Sequence, residues 1–116
     1  MAIVKVEKAA WHPYFDRISK LIQSEGKQAE IEVDALNIGA QIEAEWLPLQ
    51  GIVYDEKSNL VEVLCEGLDH LIYNPTEIYV DHTGTDLTSV EVTDKDGVKQ
   101  IIRLREPVLL PAPGGA

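Results

Sequence analysis

Between Trp11 and Ser24 the apolar positions recur with helical spacing. Trp11, Phe15, Ile18 and Ile22 stand at i, i+4, i+7 and i+11, and Tyr14 and Leu21 widen the stripe. Pro13 suits a first turn, where its missing N–H is no loss. Asp16 and Lys20 are spaced to pair on the outer face. Ser24-Glu25-Gly26 supplies a stop, with Gly26 placed to take the left-handed residue after the helix. The spacing predicts a helix over 11–24 that packs its aromatic stripe on a sheet.

After Gly26 the period changes from 3.6 to 2. Ala29, Ile31 and Val33 alternate with Glu30, Glu32 and Asp34, and Ile42, Ala44 and Trp46 alternate with Gln41, Glu43 and Glu45. Gly51 to Asp55 reads as a short strand ending in a turn over residues 56–59. Leu60 to Cys65 carries apolar residues on both parities, as a strand covered on both faces does. Leu68–Tyr73 and Thr76–Asp81 flank Asn74-Pro75, a turn signal that predicts a hairpin. His82 to Asp86 is another turn. Leu87–Thr93 and Val98–Arg105 flank Asp94-Lys95-Asp96-Gly97, a hairpin with glycine at the positive-φ position.

One helix and about seven short strands, with turns roughly every 6 to 12 residues, predict an α+β fold that is mostly β. The expected form is an N-terminal helix followed by a small antiparallel, strongly bent sheet or partly open barrel of about 5–7 strands. Pro48 fits an edge or a bend. Residues 1–106 are expected to form one domain, and residues 107–116, rich in Pro and Gly, an extended tail.

Charge narrows the partners. The 116 residues hold 20 acidic and 10 basic side chains, a net charge of −10. Nucleic-acid affinity comes largely from Lys and Arg neutralising phosphates, so this balance argues against nucleic acid. It suits a protein partner, self-association, or a hard divalent cation such as Ca²⁺ on an acidic face. The longest apolar runs fall far short of a membrane span. The first residues lack the apolar stretch of a secretory signal, and the single cysteine, Cys65, has no partner for an internal disulfide; together they point to the cytoplasm. Cys65 shares strand parity with Val61 and Val63, and Glu66 beside it disfavours a thiolate, so it reads as a small buried hydrophobe.

Catalytic signatures are few. The sequence holds no G-x-S-x-G, P-loop, G-x-G-x-x-G, H-E-x-x-H or C-x-x-C, and it implies no cofactor and no catalytic residue. Asp69-His70 and Asp81-His82 lie at the outer ends of the expected Asn74-Pro75 hairpin, but neighbours on a strand point to opposite faces, so the four do not converge as zinc ligands must. If residues 29–34 pair with residues 41–46 in one register, Glu32 faces Glu43 and Glu30 faces Glu45. Like charges so opposed disfavour a sheet by about 0.2–1 kcal/mol a pair. The candidate interaction surface is therefore Glu30, Glu32, Glu43 and Glu45, with the strand aromatics Trp46, Tyr54, Tyr73 and Tyr79.

Several stretches are familiar as a set: residues 11–19 (WHPYFDRIS), 37–44 (NIGAQIEA), 47–52 (LPLQGI), 70–75 (HLIYNP) and Asp96-Gly97 before Ile101-Ile102-Arg103. Together they resemble a family of small bacterial proteins catalogued as a domain of unknown function, along nearly the whole chain from Val6 to Arg105. The resemblance implies a self-contained bacterial domain and assigns no catalytic residue. Residues 51–63 are also similar to the first motif of Sm-like proteins, an Asp, three residues, then Asn-Leu, here Asp55 and Asn59-Leu60. That likeness implies Asp55 and Asn59 in a turn lining a ring that binds RNA; an ordinary Asp/Asn turn is the other reading. The functions expected are thus a non-enzymatic acidic interaction or self-assembly module, an Sm-like RNA-binding ring, or a small-ligand binder or enzyme with its site at the barrel mouth.

Overall fold

Helix α1 (Trp11–Glu25) forms where the 3.6-residue stripe runs, and its Trp11, Phe15, Ile18 and Ile22 are fully buried. The computed structural model describes residues 2–35, 39–84 and 86–109. Gly26 ends the helix at φ 69°, its N–H on the Ile22 carbonyl at 3.0 Å. Around α1 run β1 (Ala2–Val6), β2 (Lys27–Ala35), β3 (Gly39–Asp55), β4 (Leu60–Cys65), β5 (Leu68–Tyr73), β6 (Pro75–Thr83), β7 (Asp86–Asp94) and β8 (Lys99–Leu109). They form one antiparallel 8-stranded sheet in the order β1-β6-β7-β8-β2-β3-β4-β5.

The α+β, mostly β class is as expected, but the sheet is larger than 5–7 strands and is not closed. β1 is an added strand: its Ala-Ile-Val-Lys-Val has no clean alternation, and among the described residues its one strand partner is β6. The segments expected over 41–46 and 51–55 are one 17-residue strand, β3. Its pairing slips twice against β2 and once against β4, and such bulges let one strand bend without ending. Pro48 is exposed opposite Gln28, within this bent stretch. Pro107–Leu109 belongs to β8, and Val108, which is buried, and Leu109 pair with β7, so regular structure extends past residue 106. The rest of the expected tail, residues 110–116, lies outside the described residues, as do 36–38.

Asn74-Pro75 does not close a hairpin. β5 pairs only with β4, while β6 lies between β1 and β7. A type I′ turn needs positive φ at both central residues, which Pro75 cannot supply. Asn74 instead takes φ 53°, its N–H bonds to the Asn59 carbonyl at 3.0 Å, and its own carbonyl accepts the Lys95 N–H at 3.0 Å. The chain is thereby carried from one side of the curled sheet to the other. The curl is also visible where His70 on β5 reaches Gln100 on β8, strands with three others between them in the ladder but facing one another across the interior. The expected turn over residues 94–97 does form, with Gly97 at φ 79° and the Asp94 carboxylate accepting the Asp96 and Val98 N–H groups at 2.9 and 3.1 Å.

Where β2 stops covering β3, α1 takes over. The β2–β3 ladder begins at Lys27 and Leu49, leaving Ile52 without a strand on that side. The buried Ser19 hydroxyl donates to the Ile52 carbonyl at 2.7 Å and accepts its N–H at 2.9 Å. Gly51 eases the approach: a Cβ there would lie a tight 3.2 Å from Ser19 Oγ. Trp11 completes the seam, its indole N–H on the Val6 carbonyl at 2.8 Å and its ring edge-on to Tyr54 at 5.1 Å.

Candidate interaction surfaces

Of the four glutamates expected to share a face of β2 and β3, Glu32 is paired within the chain. The bulges in β3 set Glu32 opposite Ile42 and Ile31 opposite Ala44, so the Glu32–Glu43 and Glu30–Glu45 oppositions do not form. β8 lies on the other side, with Glu30 opposite Arg103, and the Arg103 guanidinium donates to Glu32 at 2.9 Å. Trp46 sits in the bulge at φ 50° with the Arg105 guanidinium 5.8 Å from its ring centre, and Glu43 and Glu45 are exposed beside it. Tyr79 lies farther along the same face on β6, its hydroxyl donating to Glu77 at 3.0 Å. The two remaining aromatics are elsewhere. Tyr54 is buried, 4% exposed, and bonds Asn59 Oδ1 at 2.8 Å; Tyr73 is 61% exposed on β5.

A second surface has no such internal answer. On the outer side of β3, β4 and β5 the ladders line up Val53 with Glu62 and Leu71, Asp55 with Leu60 and Tyr73, and Leu64 with Asp69. Apolar and acidic side chains thus alternate across three strands. Val53, Leu71 and Tyr73 are 42%, 37% and 61% exposed. A hydrogen bond with Asp69, then burial and the charges of Asp69 and Asp55, pushes the Glu62 carboxyl above its ordinary value. Among the described residues, no ion pair involves Asp55, Glu62 or Asp69; Lys20, at the α1 border, is 3.5 Å from Asp16. Among the described residues, β5 is paired on one side only. The sequence did carry a signal for this surface, in the apolar residues on both parities of Leu60–Cys65: one parity is core and the other is this half-open face.

The Asp-His pairs behave as strand parity requires. His70 and His82 point inward, to Gln100 and to the Tyr14 hydroxyl (3.4 Å), and the partner aspartates point outward. Burial pushes Tyr14 up to about 12 against the lowering effect of Arg17. Cys65 is buried, and burial, then the Asp69 charge, raises its thiol above the ordinary value. Asp55 and Asn59 are spent in their own turn: Asp55 accepts the Lys57 and Ser58 N–H groups at 3.0 and 3.4 Å, and Asn59 holds Tyr54. Apolar side chains from the sheet and α1 fill the interior. The grooves lined by described residues open outward, one of about 310 Å³ between α1 and β3 at His12, Asp16 and Val53, another of about 250 Å³ at Ile3, Asp81 and Arg103. Among the described residues, no group of three or more His, Cys, Asp or Glu is placed to hold a metal ion, and no helix is long and apolar enough to cross a membrane.

These features define the class: an α+β protein, mostly β, in which one helix packs into a single curled antiparallel sheet whose two edge strands are open among the described residues. Residues 2–113 match the Family of unknown function (DUF5335), and the chain belongs to that family. An uncharacterized protein of Aquifex aeolicus (strain VF5) is 39% identical over 112 residues, which cover 96% of this chain and 99% of that protein. No solved structure matches.

Proposed function

We propose that this protein is a non-enzymatic interaction module of the cytoplasm, and that it docks an extended, cationic and apolar segment of another protein on the outer side of β3–β5. The observation that carries this reading is the alternation of Val53, Leu71 and Tyr73 with Asp55, Glu62 and Asp69 beside an unpaired strand edge. An added strand gains main-chain hydrogen bonds from the β5 edge. A lysine or arginine at an outward position of that strand meets Asp69, and apolar residues two positions along, on the same face, cover Leu71 and Tyr73. Charge complementarity also selects against a second copy on this face, because the same carboxylates would meet themselves. Titration calorimetry with an extended peptide that carries Lys and Val by turns at every second position, with Thr between, tests it. Saturable heat that weakens with salt, and an affinity reduced roughly tenfold by Leu71→Glu in a chain that still folds, is the expected result. No heat, or heat indifferent to Leu71→Glu, overturns it.

A further inference from the structure

β1 lies at the opposite end of the sheet from β5, and a different observation singles it out. Ile3 is 70% and Val4 49% exposed, and among the described residues the strand pairs with β6 alone. A short apolar strand with an open edge is a template for another strand. Directly across from Ile3 stands Asp81, whose Oδ1 is buried without a hydrogen-bond partner among the described residues. Asp81 opens into the groove shared with Ile3, Ser89 and Arg103, but Arg103 is held by Glu32. A buried carboxylate oxygen left unpaired is unfavourable, so a cation that reaches it gains more than one at the open surface.

We propose that the chain forms a two-fold symmetric dimer by antiparallel pairing of β1 with β1 of a second copy, and that Lys5 of each copy closes on Asp81 of the other. A two-fold axis at Val4 sets Val4 against its own copy and Ile3 against Lys5 of the second copy, on the outer face that Asp81 shares. Lys5 of the second copy then stands two strand spacings from Asp81, about 9–10 Å between backbones, a span that an extended lysine and an aspartate cover between them. Lys5 is available for this. Its present contact with Glu77 is long, 3.8 Å and half exposed, and Glu77 keeps the Tyr79 hydroxyl when the lysine leaves. The contact is isologous and therefore closes at two copies. It also joins the molecules edge to edge, which keeps two bodies of net charge −10 apart better than face-to-face stacking does.

Sedimentation equilibrium of the full chain, with hydrogen exchange read at the β1 amides, tests the proposal. The expected result is a mass twice the 12.9 kDa of one chain, with β1 amides protected in proportion to dimer. Lys5→Glu and Val4→Lys should each weaken the dimer roughly tenfold or more, and Lys5→Glu with Asp81→Lys should restore it. Val4→Lys changes a half-exposed side chain, so it decides the matter even if the Asp81 variants fail to fold. A monomer at every concentration, a dimer indifferent to both single changes, or a mass that climbs past two copies overturns the proposal; the last indicates head-to-tail pairing of β1 with β5. Loss of this dimer leaves the peptide titration on β3–β5 unaffected, so the two readings fail separately.

Discussion

Ser19→Ala is the sharpest perturbation of the fold, because one hydroxyl serves both backbone groups of a single strand residue. Its oxygen accepts the Ile52 N–H at 2.9 Å and donates to the Ile52 carbonyl at 2.7 Å, at a site where Ser19 is 8% and Ile52 1% exposed. Alanine leaves both groups buried and unpaired. At about 1–3 kcal/mol for each buried group so orphaned, with the carbonyl at the lower end, the loss is roughly 2–4 kcal/mol. That is a large part of the ~5–15 kcal/mol that holds an ordinary domain together. Urea unfolding followed by the fluorescence of buried Trp11, which packs on the same seam, reads the change directly. Gly51 adds a control. A Cβ there meets Ser19 Oγ at 3.2 Å, so Gly51→Ala should destabilise the natural chain and do so less once Ser19→Ala has removed that oxygen. The cycle should therefore show the two changes to be non-additive. A Ser19→Ala chain within about 0.5 kcal/mol of the natural one, at unchanged denaturant slope, would refute the claim that this hydroxyl replaces a missing strand.

Two further outcomes rest on ionisation. Because the fold raises the Glu62 value, its protonated form is the one the native state favours; that contribution is whole below the unfolded value, about 4.3, and is lost as pH rises through the folded one. Glu62→Gln should then melt above the natural chain at pH 7 and level with it at pH 4, and a chain melting lower at pH 7 contradicts the Asp69 interaction. Cys65, buried and with a raised thiol, should react with a thiol reagent at the rate of global opening and accelerate in step with added urea; rapid labelling of the native chain would place it at the surface.

The helix and most strands were legible because each has a buried face that repeats at its own period. Trp11, Phe15, Ile18 and Ile22 could be placed from spacing alone, as could Ala29 and Ile31 on β2. What failed was pairing. Strand period says which residues share a face and nothing about which strand lies alongside, so Glu32 could be set against Glu43 until two bulges and Arg103 on β8 decided otherwise. β1 was missed because an edge strand buries only Val6, which leaves no alternation to read. The tyrosines divide by face: Tyr54 shares the inward side with Val61 and Ile72 and packs on Trp11, whereas Tyr73 shares the outward side with Leu60 and Asp55.

Asn74 ties these matters together. Had the chain turned back there, β6 would have covered the outer side of β5, and the row of Leu71 and Tyr73 would have lain within the sheet instead of at its margin. In its left-handed conformation, anchored to Asn59 and Lys95, Asn74 sends β6 away to pair with β7, and β6 then needs a second neighbour, which β1 supplies. One backbone conformation thus creates both open strands. They are guarded by opposite charges, Lys5 on β1 and Asp69 on β5, the usual protection of an edge against indiscriminate pairing. A guard of fixed sign also chooses: the β5 edge with its carboxylate admits a cationic strand, and the β1 edge admits its own copy because Asp81, on the strand behind Ile3, is there to receive the incoming Lys5.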